Sequence, residues 1–391
     1  MDVDMSAAVQ RFHRVCAAIE AVVCDDVGRR GIAAFTLPHQ LPRAAASFLT
    51  SPSVIILTGF PCLVRNTPPT ETDGPPGAVA LAKAALLLGK RVAIATDDCN
   101  ADVLRACAAA RLGNNEIQGS SFELLSFPPT IGESGKAAAW AVGSDASKRL
   151  ARAIGDYQHA VAIERAGAAA DGGYYTMRAI SMSALVAPLD PMVTVGCACG
   201  VEVGVVEVAT RSSTGIGDGG NEVGMGLVVD AVRAHVANGP AIACVTPADA
   251  LLTVGVSNWG GWALAAAVEA LARSSSSGAG QRRDGDGVYR AADAPPPAYA
   301  EAVATAVRGG AHLPPLHARA LLEASPPGLL LPTADEETSL AAAMCAAGAA
   351  DGISGARDGA VDGLPLSSHL TILARLRAVL TDAFGPQCAA A

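Results

Sequence analysis

The segment 214–226, TGIGDGGNEVGMG, sets two carboxylates and an amide, Asp218, Glu222 and Asn221, among closely spaced glycines. Oxygen donors of this kind suit a hard divalent cation such as Mg2+ or Mn2+. Glycines are costly at a helix start unless something must come close to the backbone, so Gly217, Gly219 and Gly220 are expected to cradle a ligand on which the three side chains converge. A glycine-rich turn with capping acids is the plainer alternative. Taken literally, Gly215, Gly217 and Gly220 also satisfy the G-x-G-x-x-G spacing of a dinucleotide site. Charge argues against that reading, because Asp218 and Glu222 would stand where a pyrophosphate must approach the helix N-terminus. No acid follows at the spacing that would hold a ribose.

Three further loops carry groups of the same type. After an apolar run at 54–57 come Thr58-Gly59-Phe60-Pro61 and then Glu71-Thr72-Asp73-Gly74-Pro75-Pro76-Gly77, which presents Thr72 and Asp73 ahead of a helix beginning near Ala78. Asp73 could cap that helix or bind a ligand. Glu164 closes another strand-like run, and Arg178 follows in DGGYYTMR, where its planar fork could grip a carboxylate or pair with a neighbouring acid. In GVSNWGG, Ser257 and Asn258 offer neutral hydrogen bonds, while Trp259 could wall a pocket or fill the core. Asp358 and Asp362 each precede a glycine, and turns alone could explain both.

Other chemistries are less well supported. Neither Gly135-Lys136 nor Gly89-Lys90 completes a phosphate-binding loop, and no G-x-S-x-G elbow occurs. Cys197-Ala198-Cys199 lacks a second pair to complete a tetrahedral site, and His159 and His369 read as structural. No nucleotide, flavin or pyridoxal phosphate is expected. A net charge of -9 with 4% aromatic residues leaves little basis for nucleic-acid binding, and no apolar run reaches the roughly 20 residues that a bilayer requires.

These loops need a scaffold that gathers them. Short β-branched runs at 54–57, 91–95, 122–125, 159–163, 203–208 and 241–245 alternate with helical patterns at 78–88, 101–112, 222–236, 262–272 and 367–380. That alternation predicts an α/β fold, with a largely parallel or mixed sheet flanked by helices and the active-site loops at the carboxyl ends of its strands. Residues 1–50 are expected to form an N-terminal helical segment and 51–391 the α/β domain, interrupted by a low-complexity insertion at about 273–297.

The segments TGF, ETDGPPGA, IERAG with DGGYYTMR, GIGDGGNEVGMG, GVSNWGG and VDGLP together resemble the D-glutamate cyclase family, in particular its C-terminal cyclase domain. The resemblance extends over about residues 50 to 370. It implies cyclisation of D-glutamate, a small acidic amino acid, to 5-oxo-D-proline with loss of water. On that basis Asp218 or Glu222 would take the ammonium proton, and Mn2+ or Mg2+ held among Asp73, Glu164, Asp218 and Glu222 would polarise the γ-carboxylate. Arg178 would anchor the α-carboxylate. Gly59, Thr72, Gly217, Gly219, Gly220, Asn221, Ser257 and Asn258 would line the substrate.

The same acids could instead serve a metal-dependent hydrolase of a small phosphate ester or amide, or a non-catalytic binder of an acidic metabolite. Met1-Asp2-Val3-Asp4 is acidic where targeting segments are basic, and the ten cysteines are scattered. The chain therefore reads as a soluble cytoplasmic protein, although animal members of the family are mitochondrial.

Overall fold

The computed structural model describes residues 5–113, 122–129, 140–196, 211–276 and 316–385. Its strands are β1 (Ser53–Gly59), β2 (Arg91–Asp97), β3 (Phe122–Phe127), β4 (His159–Arg165), β5 (Ser212–Gly217) and β6 (Ala250–Thr253). They form one sheet in the order β3-β2-β1-β4-β5-β6, every pair parallel. Successive strand residues point to opposite faces. Val54, Ile56, Val92, Ile94, Val161 and Ile163 share one core with α1 (Met5–Val23), α2 (Gln40–Thr50), α3 (Pro75–Leu87) and α4 (Ala101–Leu112). The same core includes α9 (Ser257–Ser276), and α11 (Ala334–Ala346) and α12 (Leu366–Phe384) complete it. On the other face Ile55, Leu57, Ala93, Ala95, Ala160 and Ala162 meet α5 (Asp145–Asp156) and α6 (Pro191–Thr194). Burial on both faces explains why the strands read as near-continuous apolar runs.

This is the strand order of doubly wound dinucleotide-binding sheets, with its reversal between β1 and β4, where the connections part to opposite sides and leave a crevice at the strand ends. The order by itself does not imply a nucleotide.

Four expectations about elements need correction or fall outside the description. No strand forms at 241–245; Asn238-Gly239-Pro240 opens the short helix α8 (Gly239–Ile242), and the sixth strand lies further on, at Ala250–Thr253. No helix starts at Glu222: a 3-10 turn at Gly226–Val228 leads into α7 (Val229–His235). Low-complexity chain does not begin at Arg273 either, because α9 runs to Ser276. There the Arg273 guanidinium holds Glu269 at 2.8 Å and the Leu322 carbonyl at 2.7 Å, tying α9 to the end of α10 (Leu316–Ala324). Residues 277–297 and the strand expected at 203–208 lie outside the described residues.

Helices α3 and α9 position the site, and glycine is what lets them cross so closely. A Cβ on Gly261 would sit 2.8 Å from the Gly77 Cα, and one on Gly77 would meet the Asn258 backbone at 3.0 Å. Each helix also caps the other. Asp73 accepts from the Ser257 and Asn258 amides, both at 2.9 Å, while the Asn258 Oδ1 accepts from the Gly74 and Gly77 amides at 3.1 and 2.9 Å. Asp73 therefore caps α9 rather than the helix that follows it in sequence. Because neither contact at the crossing can yield without moving backbone, Gly261→Ala is expected to cost about 1–3 kcal/mol. Chemical denaturation of the variant would show it, and unchanged stability would mean that the crossing is not tightly packed.

Candidate active site

At the end of β4 the chain must turn sharply to aim Glu164 inward, and it does so with a left-handed backbone at a non-glycine residue, φ 41°. Such a conformation costs of order 1–3 kcal/mol and persists only where the surroundings enforce it. Gly74 packs against that turn, since a Cβ there would lie 2.8 Å from the Glu164 Cβ. Glu164 accepts from the Ser257 hydroxyl at 2.6 Å.

Around Glu164 lie Glu71, Asp73, Asp218, Glu222 and Asp362, brought together from the β1, β4 and β5 ends and the loop before α12. Glu71, Glu164, Asp218, Glu222 and Asp362 line a cavity of about 150 Å3, room for a few waters at about 30 Å3 each or for a small metabolite. Two sets of oxygens stand within 4.8 Å of one another: Asp73 with Asp218 and Asp362, and Glu164 with Asp218 and Glu222. Asp218 belongs to both, and its Oδ2 is buried with no hydrogen-bond partner among the described residues.

The glycine loop has a different use from a ligand cradle. Glu222 turns back into it, with Oε1 accepting from the Asp218 amide at 3.1 Å and the Gly219 amide at 2.6 Å, and Oε2 from the Gly220 amide at 2.7 Å. A Cβ on Gly217 or Gly219 would strike Glu222 at 2.9 or 3.0 Å, and one on Gly220 would strike Val232 at 2.5 Å. These glycines make room for the protein's own side chains. The same contacts give the dinucleotide reading a structural objection, since the amides that would hold a phosphate already hold a carboxylate.

Asn221 lines the cavity and donates to the Tyr175 carbonyl at 2.7 Å. Arg178 also lines it, from an exposed position, and makes no ion pair among the described residues. The remaining expected contacts are committed elsewhere. Thr72 donates to the Ala360 carbonyl at 2.7 Å, Ser257 and Asn258 serve Glu164 and α3, and the space beside Gly59 is filled by Asn100 and Thr96. Trp259 is buried and donates to the His369 Nδ1 at 2.9 Å, so both are core residues. Burial, followed by the charges of Lys90 and Arg211, lowers the pKa of His159 to about 3, and Ser212 and Thr214 flank its ring. Cys197 and Cys199 lie outside the described residues, and the described cysteines are free thiols.

Sequence reasoning missed Arg30. It reaches in from the loop after α1, with Nη1 paired to Asp218 and Nη2 3.1 Å from the Asp362 Oδ2. Asp362 is at once a turn residue, φ 52°, and a member of the acidic group.

Residues 19–377 match the family described as D-glutamate cyclase-like, C-terminal. The chain belongs to this family. It is 38% identical over 253 residues to the human protein named D-glutamate cyclase, mitochondrial, an alignment covering 65% of this chain and 38% of the relative's length. The family match takes in Arg30, the α3–α9 crossing and every acid of the cavity. Among the described residues no helix is long and apolar enough to cross a membrane.

Burial, reinforced by neighbouring negative charge, raises the pKa of Glu71, Asp73, Glu164 and Asp218. Burial and then the neighbouring charges of Glu222, Asp73 and Glu71 push Glu164 well above the ordinary range. Asp218 is likewise raised, by burial above all, with Arg30 opposing and Asp362, Glu164 and Asp73 adding to the shift. Asp73 rises to about 7, through burial and then Asp362, although the Asn258 and Ser257 amides oppose this.

An acid that titrates near 7 when folded and near 4 when unfolded gives stability that is complete below the lower value and is lost as pH climbs through the upper one. A divalent cation binds the deprotonated oxygens. Mn2+ is therefore expected to raise the melting temperature more at pH 8 than at pH 5. Equal shifts at both pH values would count against these acids as the site.

Proposed function

We propose that the chain cyclises D-glutamate to 5-oxo-D-proline. What carries the reading is the convergence on one cavity of Glu164, Asp218 and Glu222, with Asp73 beside Asp218; Asp218 is shared by both oxygen groups, and one of its oxygens is unpartnered among the described residues. The family and the name of the human relative support the reaction class.

In this reaction the substrate nitrogen bonds to the carbon of the γ-carboxylate, one oxygen of that carboxylate departs, and two protons pass from the ammonium group to that oxygen, which leaves as water. A carboxyl whose pKa is raised by its surroundings can serve at both ends of that transfer. Glu164 is the group suited to it, being buried, raised in pKa and fixed by Ser257. Arg178, at the exposed side of the cavity, has its guanidinium available for the α-carboxylate. Folding the substrate so that the nitrogen meets the γ-carboxylate carbon removes much of the entropic barrier.

The donor set fits a hard divalent cation, since the candidate ligands are all carboxylate oxygens. Asp73, Asp218 and Asp362, or Glu164, Asp218 and Glu222, would hold it. When bound, Mn2+ or Mg2+ would supply Lewis-acid polarisation of the γ-carboxylate.

The test is incubation with D- and L-glutamate, with and without Mn2+, followed by chiral detection of 5-oxoproline. Formation of the D-product supports the assignment. Absence of product from either enantiomer would overturn it, and release of phosphate or ammonia from small esters or amides would favour a hydrolase.

A further inference from the structure

We propose that Arg30 is the resting counter-ion of the acidic cavity: it holds the place of a divalent cation and turns onto a substrate carboxylate when that cation binds. This rests on the metal-binding reading above. The guanidinium spans Asp218 and Asp362, two of the three members of one oxygen group, and Asp218 is also the member common to both groups. A cation taken up by either group therefore lies beside a carboxylate that Arg30 already uses, and two cations at such range repel. The Asp218 Oδ2, on a residue only 2% exposed, is the open ligand position next to the oxygen that Arg30 occupies.

The local chain is built for a side-chain swing about a fixed backbone. Both oxygens of Asp26 hold it, accepting from the Arg30 and Gly31 amides at 2.8 Å each. Arg29 and Gly31 on either side are exposed and left-handed, φ 51° and 77°. Among the described residues the guanidinium pairs with those two acids, and its side chain is 16% exposed. Arg30 and Arg178 line the same cavity, so a released Arg30 would give a dicarboxylate two guanidinium partners. Cation and substrate would then favour each other's binding, as linkage requires.

Calorimetric titration of the full chain with Mn2+ tests this, using wild type, Arg30→Gln and Arg30→Lys, with and without saturating glutarate, a dicarboxylate that lacks the amine and cannot cyclise. Arg30→Gln is expected to bind Mn2+ about tenfold or more tightly than wild type, with Arg30→Lys close to wild type. Glutarate is expected to tighten Mn2+ binding about fivefold or more in wild type and to leave Arg30→Gln unchanged. Equal Mn2+ affinity in wild type and Arg30→Gln would overturn the displacement while leaving the metal site intact. An equal gain in Arg30→Lys would assign the effect to packing rather than charge and also overturn it. Glutarate coupling that survives in Arg30→Gln would overturn the transfer to substrate. Mn2+ binding to none of the three proteins would remove the metal reading and this inference together.

Discussion

Asp218→Asn is expected to lower the turnover of D-glutamate by about 10²–10⁴-fold, the rate equivalent of the several kcal/mol that a Lewis-acid cation held by this carboxylate would supply, without lowering the melting temperature. Both halves follow from one arrangement. Asp218 is shared by the two oxygen groups, and its Oδ2 is buried without a partner among the described residues. Its removal takes away the group that most of the proposed chemistry needs. It also takes a carboxylate out of a site where Asp73, Glu164 and Asp362 repel it. Arg30 keeps Asp362 as a partner, so no buried cation is orphaned. Active sites commonly trade stability for function in this way. Steady-state assay by 5-oxoproline detection, together with thermal melting, gives both readouts. A variant that retains wild-type turnover would remove Asp218 from the mechanism, and one that melts well below wild type would make it a structural residue.

How far the sequence disclosed this site depended on whether a residue's use was local. Helix α4 was expected at 101–112, where it is found, and β2, β3 and β4 lie where their apolar runs suggested, because β-branched runs and alanine-rich periodicity are local signals. The residues of β5 read as loop in the sequence, since Gly215 and Gly217 weaken the strand pattern. The reason for glycine lies in tertiary structure: a Cβ on Gly215 would meet the Val223 carbonyl at 2.7 Å and the Gly224 Cα at 2.8 Å. Residues 241–245 and 250–253 are both short apolar runs, and periodicity does not choose between them; the turn at Asn238-Gly239-Pro240 does.

Function followed the same division. Glu164, Asp218 and Glu222 stood out because they sit at strand ends among glycines. Arg30 did not, since nothing in GRRG shows which arginine turns inward, and Asp362 looked like an ordinary turn acid. Glycine spacing correctly marked a backbone that something approaches closely, but the approaching group at Gly217 and Gly219 is Glu222 itself.

Glu222→Gln separates the two uses of that carboxylate. In the folded chain three backbone amides point at its oxygens. A glutamine offers one oxygen and an amino group that can only donate, so at least one amide loses its acceptor and faces another donor inside a buried loop. An unsatisfied buried donor costs about 1–3 kcal/mol, and the loop it holds carries Asp218. The variant is therefore expected to melt several degrees lower. Its turnover is expected to fall by about 10²-fold or more, because displacement of a reacting group by about 1 Å is enough for that loss. The direction of the thermal shift distinguishes it from Asp218→Asn, which loses activity while keeping its stability. If Glu222→Gln instead melts like wild type and loses turnover, Glu222 acts on the substrate's protons rather than through the loop. If it keeps both, the glycine loop neither needs this carboxylate nor places Asp218 through it.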